Sequence, residues 1–391
     1  MSFSFTYATP DPASKARIGH LQTPHGVLET PAFIFCATKA TVKSLPMDLV
    51  KKAGTQIILS NTYHLMIQPG AETVRALGGL HKMMAWDGPM FTDSGGFQIF
   101  SLGHGSVANE IKGKRMEKRQ RSMLKITEEG ALFKSYLDGS MHLLTPERSI
   151  AIQHALGADL IVCFDECTPF HVEKQYTAAS MERSHRWEYR SLQAFKALET
   201  DQQALYGIVQ GGVYPDLRQE SADFVNNHDF FAHAIGGSLG ASKSQMYDVV
   251  DFTMSKLSPN RPVHLLGIGG IQDIFHGVKQ GIDTFDCVHP TRLARHGGAL
   301  VRGHTKEHLN LRNGHYAKDP EPIEADCPCF TCQNHSRGYL HHLIKAKELL
   351  AATLITQHNI TFMNRLMAAI RQAIQGGTLD AEEKKWVFNH S

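Results

Sequence analysis

The sequence predicts an α/β fold: a (β/α)8 TIM barrel with a zinc-type insertion subdomain near the C-terminus. Three observations carry that expectation. Eight short apolar runs recur along the 391 residues, each closing on a polar or glycine-rich turn. Helix-like segments separate several of them, the alternation of parallel βαβ units. Past the eighth run lies Cys327-Pro-Cys329-Phe-Thr-Cys332, a thiol cluster in a Pro- and charge-rich stretch. An open doubly wound sheet is the competing arrangement, and the count of eight favours the barrel.

In chain order the first four runs are AFIFCA (32–37), QIILSN (56–61), PMFTDSGG (89–96) and LIVCFDE (160–166). LYGIVQGG (205–212), AHAIGG (232–237), VHLLGIGG (263–270) and TFDCVHP (284–290) follow. Near-continuous apolar runs of this length suit strands buried on both faces. MERSHRWEYRSLQAFKAL (181–198) and SQMYDVVDFTMSKL (244–257) read as helices between them. Residues 104–150 are too many for a single crossover. They hold the basic stretch KGKRMEKRQRS (112–122), then LKITEEGALFKSYLDG, expected to form a hairpin turning at Glu129-Gly130. The basic stretch suits either a solvated face or phosphate contact. RNGHYAKDPEPIEADCPCFTC (312–332) reads as an inserted subdomain. The tail from Gly338 to about His358 has helical periodicity, with Leu343, Leu350 and Leu354 near one face.

Composition narrows the class. Apolar residues at 42% and charged residues at 20% are globular values. A formal charge of +2 and a pI near 8.1 neither demand nor exclude nucleic acid. Of seven cysteines, three are clustered, while Cys36, Cys163, Cys167 and Cys287 sit mostly in apolar runs. That distribution fits reduced thiols plus a metal knuckle, not a disulfide framework. MSFSFTYATPDPASK lacks the basic-then-apolar pattern of a signal peptide. No stretch approaches the ~20 apolar residues of a membrane-spanning helix. A soluble, cytoplasmic protein is expected.

In such barrels reactive residues gather at the C-terminal ends of the strands. Here those ends carry Asp93, Asp165-Glu166, Gln210-Gly211-Gly212, Gly236-Gly237, Gly267 and Asp286. Glycines allow close backbone approach and Asp and Gln present hydrogen-bonding edges, a set that suits a planar heterocycle. Asp93 and Asp286 are either turn aspartates or a nucleophile and a proton carrier at a glycosidic bond. Asp286 adjoins a second nucleophile type, Cys287, which strand alternation turns to the opposite face. The C-x-C-x2-C cluster needs a fourth ligand to close a structural tetrahedral shell, and His335, His341, His342 and His358 all lie downstream. Arg292, Arg295 and Arg302 follow Asp286 and point to a phosphorylated polymer.

At these residues the chain resembles a known family. TPAFIFCATKATVK, LSNTYHLMIQPG, TDSGGFQIFSL, FDECTPF, GIVQGG, AIGG, GIDTFDCVHPTRLAR and CPCFTCQNHSRGYL resemble the tRNA-guanine transglycosylases, in that order and over nearly the whole chain. The resemblance implies one barrel domain over 1–391, with a zinc-binding subdomain at about 305–360. It implies exchange of the wobble guanine in GUN-anticodon tRNA for a 7-deazaguanine base, as a step of queuosine modification. By the same resemblance Asp286 is the nucleophile toward the ribose anomeric carbon and Asp93 the general acid/base. The base pocket would comprise Asp93, Ser94, Gly95, Gly96, Phe97, Asp165, Gln210, Gly237, Ser238 and Gly240, with Phe97 stacking on the base. Gly267, Thr291, Arg292 and Arg295 would contact tRNA. Cys327, Cys329, Cys332 and His358, the last selected by TQHNI, would hold one structural Zn2+ per subunit. A homodimer is implied too. A non-catalytic tRNA-binding partner is the rival, and the presence of both aspartates opposes it.

One stretch departs from the family. Ile235-Gly236-Gly237-Ser238-Leu239-Gly240-Ala241-Ser242 stands where bacterial members have IGG followed by LAVGE. Gly240 replaces a valine, as in the eukaryotic catalytic subunit, and Ser242 replaces a glutamate that helps orient the backbone receiving an aminomethyl group. The missing isopropyl group suggests room for queuine, with its bulky cyclopentenediol, in preference to 7-aminomethyl-7-deazaguanine.

Overall fold

The structure is a computed structural model, and it describes residues 3–9, 14–104, 124–170 and 172–388. Eight strands close into a barrel: β1 (Ala32–Cys36), β2 (Ile58–Ser60), β3 (Met90–Thr92), β4 (Leu160–Val162), β5 (Ala204–Val209), β6 (Ala232–Ile235), β7 (Val263–Leu265) and β8 (Thr284–Cys287). Each falls on one of the eight apolar runs. Neighbours in the barrel are neighbours in sequence, and β8 pairs in parallel with β1 (Thr284 opposite Ala32), so the sheet has no open edge. That closure excludes the doubly wound alternative. All residues of β1 to β7 are buried, which is why their sequences carry no polar alternation.

Local signals set many of the helices. Pro146–Leu156 starts where the Thr145 side chain accepts from Arg148 N–H, has Pro at its first position, and stops at Gly157 in the left-handed region. The helix expected at 181–198 runs over Lys174–Lys196. Its Trp187 is buried, stacks on Phe164 at 4.8 Å, and donates to Glu128 O at 2.9 Å. Leu124–Ile126, Ala131–Lys134 and Met141–Leu144 form a separate antiparallel sheet, whose first turn lies at Glu128-Glu129, one residue earlier than expected, because Thr127 N–H donates to Gly130 O at 3.0 Å and draws that glycine into the ladder. The basic stretch 112–122 lies outside the described residues.

The tail differs from expectation. The segment from Gly338 to His358 is two helices, Arg337–Lys345 and Leu350–Gln375. Between them Lys347 adopts φ +60, which ends the first helix, and Leu350 is 45% exposed while Leu343 and Leu354 are buried. The second helix runs on past His358 because Ile360, Met363, Leu366, Met367, Ile370 and Ile374 continue its buried stripe.

The chain divides into two compact units. The first comprises Met1–Phe5, Leu21–Val27 and Ser60–Leu266; the second comprises Thr6–His20, Leu28–Leu59 and Gly267–Ser391. In the second, the three clustered cysteines lie within an apolar cluster with Leu311, Ile323, Leu340, Leu354 and Ile355. Among the described residues, no helix is long and apolar enough to cross a membrane.

Candidate active site and metal centre

In the first unit a buried polar cluster forms where β3, β4, β5 and β6 end. Asp165, three residues past β4, accepts from Ser94 Oγ at 3.3 Å on one oxygen and from Gln210 Nε2 at 2.5 Å on the other. Burial pushes its carboxyl up to about 7, against the lowering effect of those hydrogen bonds. Gln210 is fixed through its backbone N–H, which donates to Ser221 Oγ at 2.9 Å. Gly237 has φ +73, and a Cβ there would lie 2.5 Å from Gln210 Oε1, so only glycine permits this approach. Gly96 packs against Asp165 O, and Phe97 beside it is 47% exposed.

Asp93 lies one residue past β3. Its Oδ1 accepts from Thr62 N–H at 2.8 Å, its Oδ2 accepts from Asn61 Nδ2, and its own carbonyl accepts from Thr62 Oγ1 at 2.5 Å. Asn61 also caps the helix Thr62–Ile67, accepting from His64 N–H at 3.0 Å. Asn61 therefore positions Asp93 and starts a helix at once. Its place at the end of the run QIILSN was the available sequence signal.

Arg218 was not singled out from sequence. It is fully buried in the helix Pro215–Asn227, and its partners are backbone carbonyls: Gly212 at 2.7 Å, Val209 at 3.0 Å and Ser238 at 3.1 Å. It ties the loop after β5 to the loop after β6, and burial lowers its pKa to about 9. Read as sequence, VYPDLRQE is an ordinary surface helix, with nothing to mark the arginine.

In the second unit Asp286 occupies the third position of β8. Gly267 N–H donates to its Oδ1 at 2.7 Å and the Cys36 thiol reaches its Oδ2 at 3.6 Å. Cys36, at the end of β1, reads in sequence only as a reduced thiol in an apolar run. Cys287 has different neighbours: its Cβ lies against Gly269 and its sulfur accepts from His289 N–H at 3.4 Å. It is half-buried, and burial pushes its thiol up to about 11, so it is not a thiolate at neutral pH. Thr291, Arg292 and Arg295 lie on the short helix His289–Arg295. Lys43 is held below its usual range by partial burial and by the charges of Arg295, Lys39 and Arg292, which marks a local concentration of cations.

Cys327, Cys329, Cys332 and His358 converge, all buried. His358 Nδ1 is 3.6, 3.7 and 3.3 Å from the three sulfurs in turn. A tetrahedral ion with ordinary zinc bond lengths separates N and S ligands by about 3.6 Å. The other ring nitrogen donates to Leu300 O at 2.8 Å, which leaves the Nδ1 lone pair aimed at the thiols. The residues fit a metal ion. Adjacent Asn359 donates to Pro290 O at 2.9 Å and accepts from Leu300 N–H at 2.9 Å, so the helix that carries His358 also braces the short helix after β8.

His25, His81 and Asp159 form a second group with ligand-type atoms. Their geometry is that of a hydrogen-bonded clamp. His81 Nε2 faces both Asp159 Oδ2 at 3.3 Å and Gly88 O at 3.0 Å, so that nitrogen carries its proton and offers no lone pair. The two rings stack with centroids 3.7 Å apart, and His25 Nδ1 meets the other Asp159 oxygen at 2.7 Å, so the carboxylate is shared between both imidazoles.

Comparison with known proteins shows the family of the chain. The family model described as "Queuine tRNA-ribosyltransferase" matches residues 11–391. A protein of that name from Roseiflexus sp. (strain RS-1) is 49% identical over 398 residues, covering 99% of this chain and 100% of its own. Another, from Caldanaerobacter subterraneus subsp. tengcongensis, is 47% identical, covering 93% of this chain and 92% of its own. A third, from Thermoanaerobacter sp. (strain X514), is 46% identical, covering 97% and 95%. This chain belongs to the queuine tRNA-ribosyltransferase family.

Proposed function

We propose that this protein is a tRNA-guanine transglycosylase, exchanging the wobble guanine of GUN-anticodon tRNAs for a 7-deazaguanine base within queuosine modification. The observation that carries the proposal is Asp286: a carboxylate at a strand end, one oxygen fixed by Gly267 N–H. Its carboxylate attacks the ribose C1′, the bond from C1′ to the base nitrogen breaks, and guanine leaves with the electron pair. Asp93 supplies the proton that guanine takes up. The incoming base gives its proton to Asp93 and attacks the same carbon, which releases Asp286. Two inversions give net retention. The target guanine must first be splayed out of its stack.

The buried Asp165–Gln210–Ser94 cluster suits the hydrogen-bond donors on the guanine edge, with backbone at Gly237 and Ser238 and with Phe97 as stacking partner. Gly95 and Gly96 let the backbone approach the base. Thr291, Arg292, Arg295 and Gly267 contact the tRNA. Zinc is the metal we assign to Cys327, Cys329, Cys332 and His358. It supplies fold stability within the subdomain at about 305–360 of a single barrel domain, in a cytoplasmic homodimer.

We assign queuine as the incoming base, with 7-aminomethyl-7-deazaguanine as the alternative. Gly240 has φ +115, which a valine rarely adopts. The space beside it is not empty as sequence suggested, because the Gln245 side chain occupies it. A glutamine reaching in from a neighbouring helix can rotate away, whereas a branched residue on the loop itself could not.

The test is covalent trapping. Wild type incubated with unmodified tRNA and a base analogue that stalls the second step should yield a denaturation-resistant RNA adduct, and Asp286→Ala should not. An equal adduct from both proteins would sink the mechanism. Tight tRNA binding with no guanine exchange would instead favour the non-catalytic partner.

A further inference from the structure

We propose that Gln245 is the gate that sets how large a substituent the incoming base can carry. The proposal rests on the assignment of the Gly237–Gly240 loop to the base pocket. A Cβ built on Gly240 would lie 2.6 Å from Gln245 Oε1, 2.7 Å from Cγ and 2.8 Å from Cδ. The glutamine thus stands where a side chain at position 240 would begin. Among the described residues it is held there by one hydrogen bond, from Ala241 N–H to Oε1 at 3.0 Å.

The anchor is local and sequence-encoded. Ser242-Lys243-Ser244-Gln245 has the pattern of a capping box, in which a Ser and a Gln three residues on satisfy donors at a helix start. Ser242 Oγ accepts from Gln245 N–H at 3.2 Å, opening the helix Lys243–Met254. The glutamine side chain then reaches back one residue further than usual, past Ser242 to Ala241. That longer reach lays its stem over Gly240. Ala241 and Ser242 are exposed, so solvent lies beside the gate and the amide can exchange its one protein partner for water. A base with a small substituent leaves Gln245 in place; a bulky one requires it to turn outward.

Direct competition of queuine and 7-aminomethyl-7-deazaguanine for incorporation into unmodified GUN tRNA tests this, with wild type, Gln245→Ala and Gln245→Glu. Gln245→Ala removes the obstructing atoms and should raise the queuine-to-aminomethyl ratio of kcat/KM roughly tenfold, the scale on which small pocket groups discriminate. Gln245→Glu keeps the size and an oxygen for Ala241 N–H, so its ratio should stay near that of wild type. An unchanged or lowered ratio in Gln245→Ala overturns the gate, as does an equal rise in Gln245→Glu. Both bases compete for one enzyme sample, so partial misfolding leaves the ratio untouched. Exchange of labelled guanine by wild type is scored separately. Its absence overturns the transglycosylase assignment itself, whereas a wild-type preference for the aminomethyl base overturns only the choice of queuine.

Discussion

The Asp165 cluster and the surroundings of Asp286 are built by different means. Around Asp165 the loops are held by buried side chains acting on one another and on backbone: Ser94, Gln210 and Arg218. Around Asp286 the carboxylate meets a backbone donor and a thiol among its partners, and the short helix that follows is braced by Asn359, next to His358 of the Cys3His cluster. A group that reads a base edge gains from a buried, fully paired setting, because mismatched polar groups there are costly.

Breaking the nucleophile side should have the largest effect. Asp286→Ala should lower guanine exchange on the order of a thousandfold or more, and Cys287→Ala should keep most of it. Steady-state exchange of labelled guanine measures both, and equal losses would return the cysteine to consideration. Metal removal sharpens the contrast. Chelation, or Cys329→Ser, should lower Tm by roughly 10 °C and weaken tRNA binding. Calorimetric binding of free base should persist at low temperature, because the Asp165 cluster contains no ligand of that metal.

Protonation separates the two regions as well. With its carboxyl raised to about 7 by burial, Asp165 is neutral below that pH and cannot accept from two base-edge donors. The kcat/KM for free base should therefore rise with pH through about 7 and level above it. A flat profile across that range would show that Asp165 ionises normally. Arg218→Lys, which cannot reach all three carbonyls, should raise KM for the base roughly tenfold, with kcat moved less. A fall in Tm without that split would make Arg218 purely structural. The smallest change expected is in Cys36→Val: loss of one weak thiol contact to Asp286 should slow exchange about two- to threefold. A much larger loss would give Cys36 a part in the chemistry.

The barrel was legible in sequence because seven of its eight strands are buried at every residue, so apolar runs such as QIILSN and AHAIGG stand out without any alternation. The thiol cluster was legible because C-x-C-x2-C fixes its own local geometry. Helix boundaries in the tail were less so. Leu350 fits an apolar stripe by spacing, yet Lys347 in a left-handed conformation resets the phase and leaves that leucine exposed. Arg218 carried no signal, since a charged residue on an amphipathic helix is ordinary until its burial is seen. Gly240 misled in a definite way: an absent side chain implies space only where no neighbour fills it.

By itself the sequence determined the strand count and three of the four members of the buried Cys3His cluster, because these depend on residues close together in the chain. Their resemblance to one family supplied the fourth member of that cluster and the expected reaction. Only the tertiary structure decided what surrounds each group. That Asp165 lies between Ser94 and Gln210, that Asp286 faces Gly267 and Cys36, and that Gln245 covers Gly240 are outcomes of packing between separate elements or of how a side chain folds back over its own loop. Spacing in a chain fixes which residues can share a turn. Which side chain fills a given space depends on every element that packs around it.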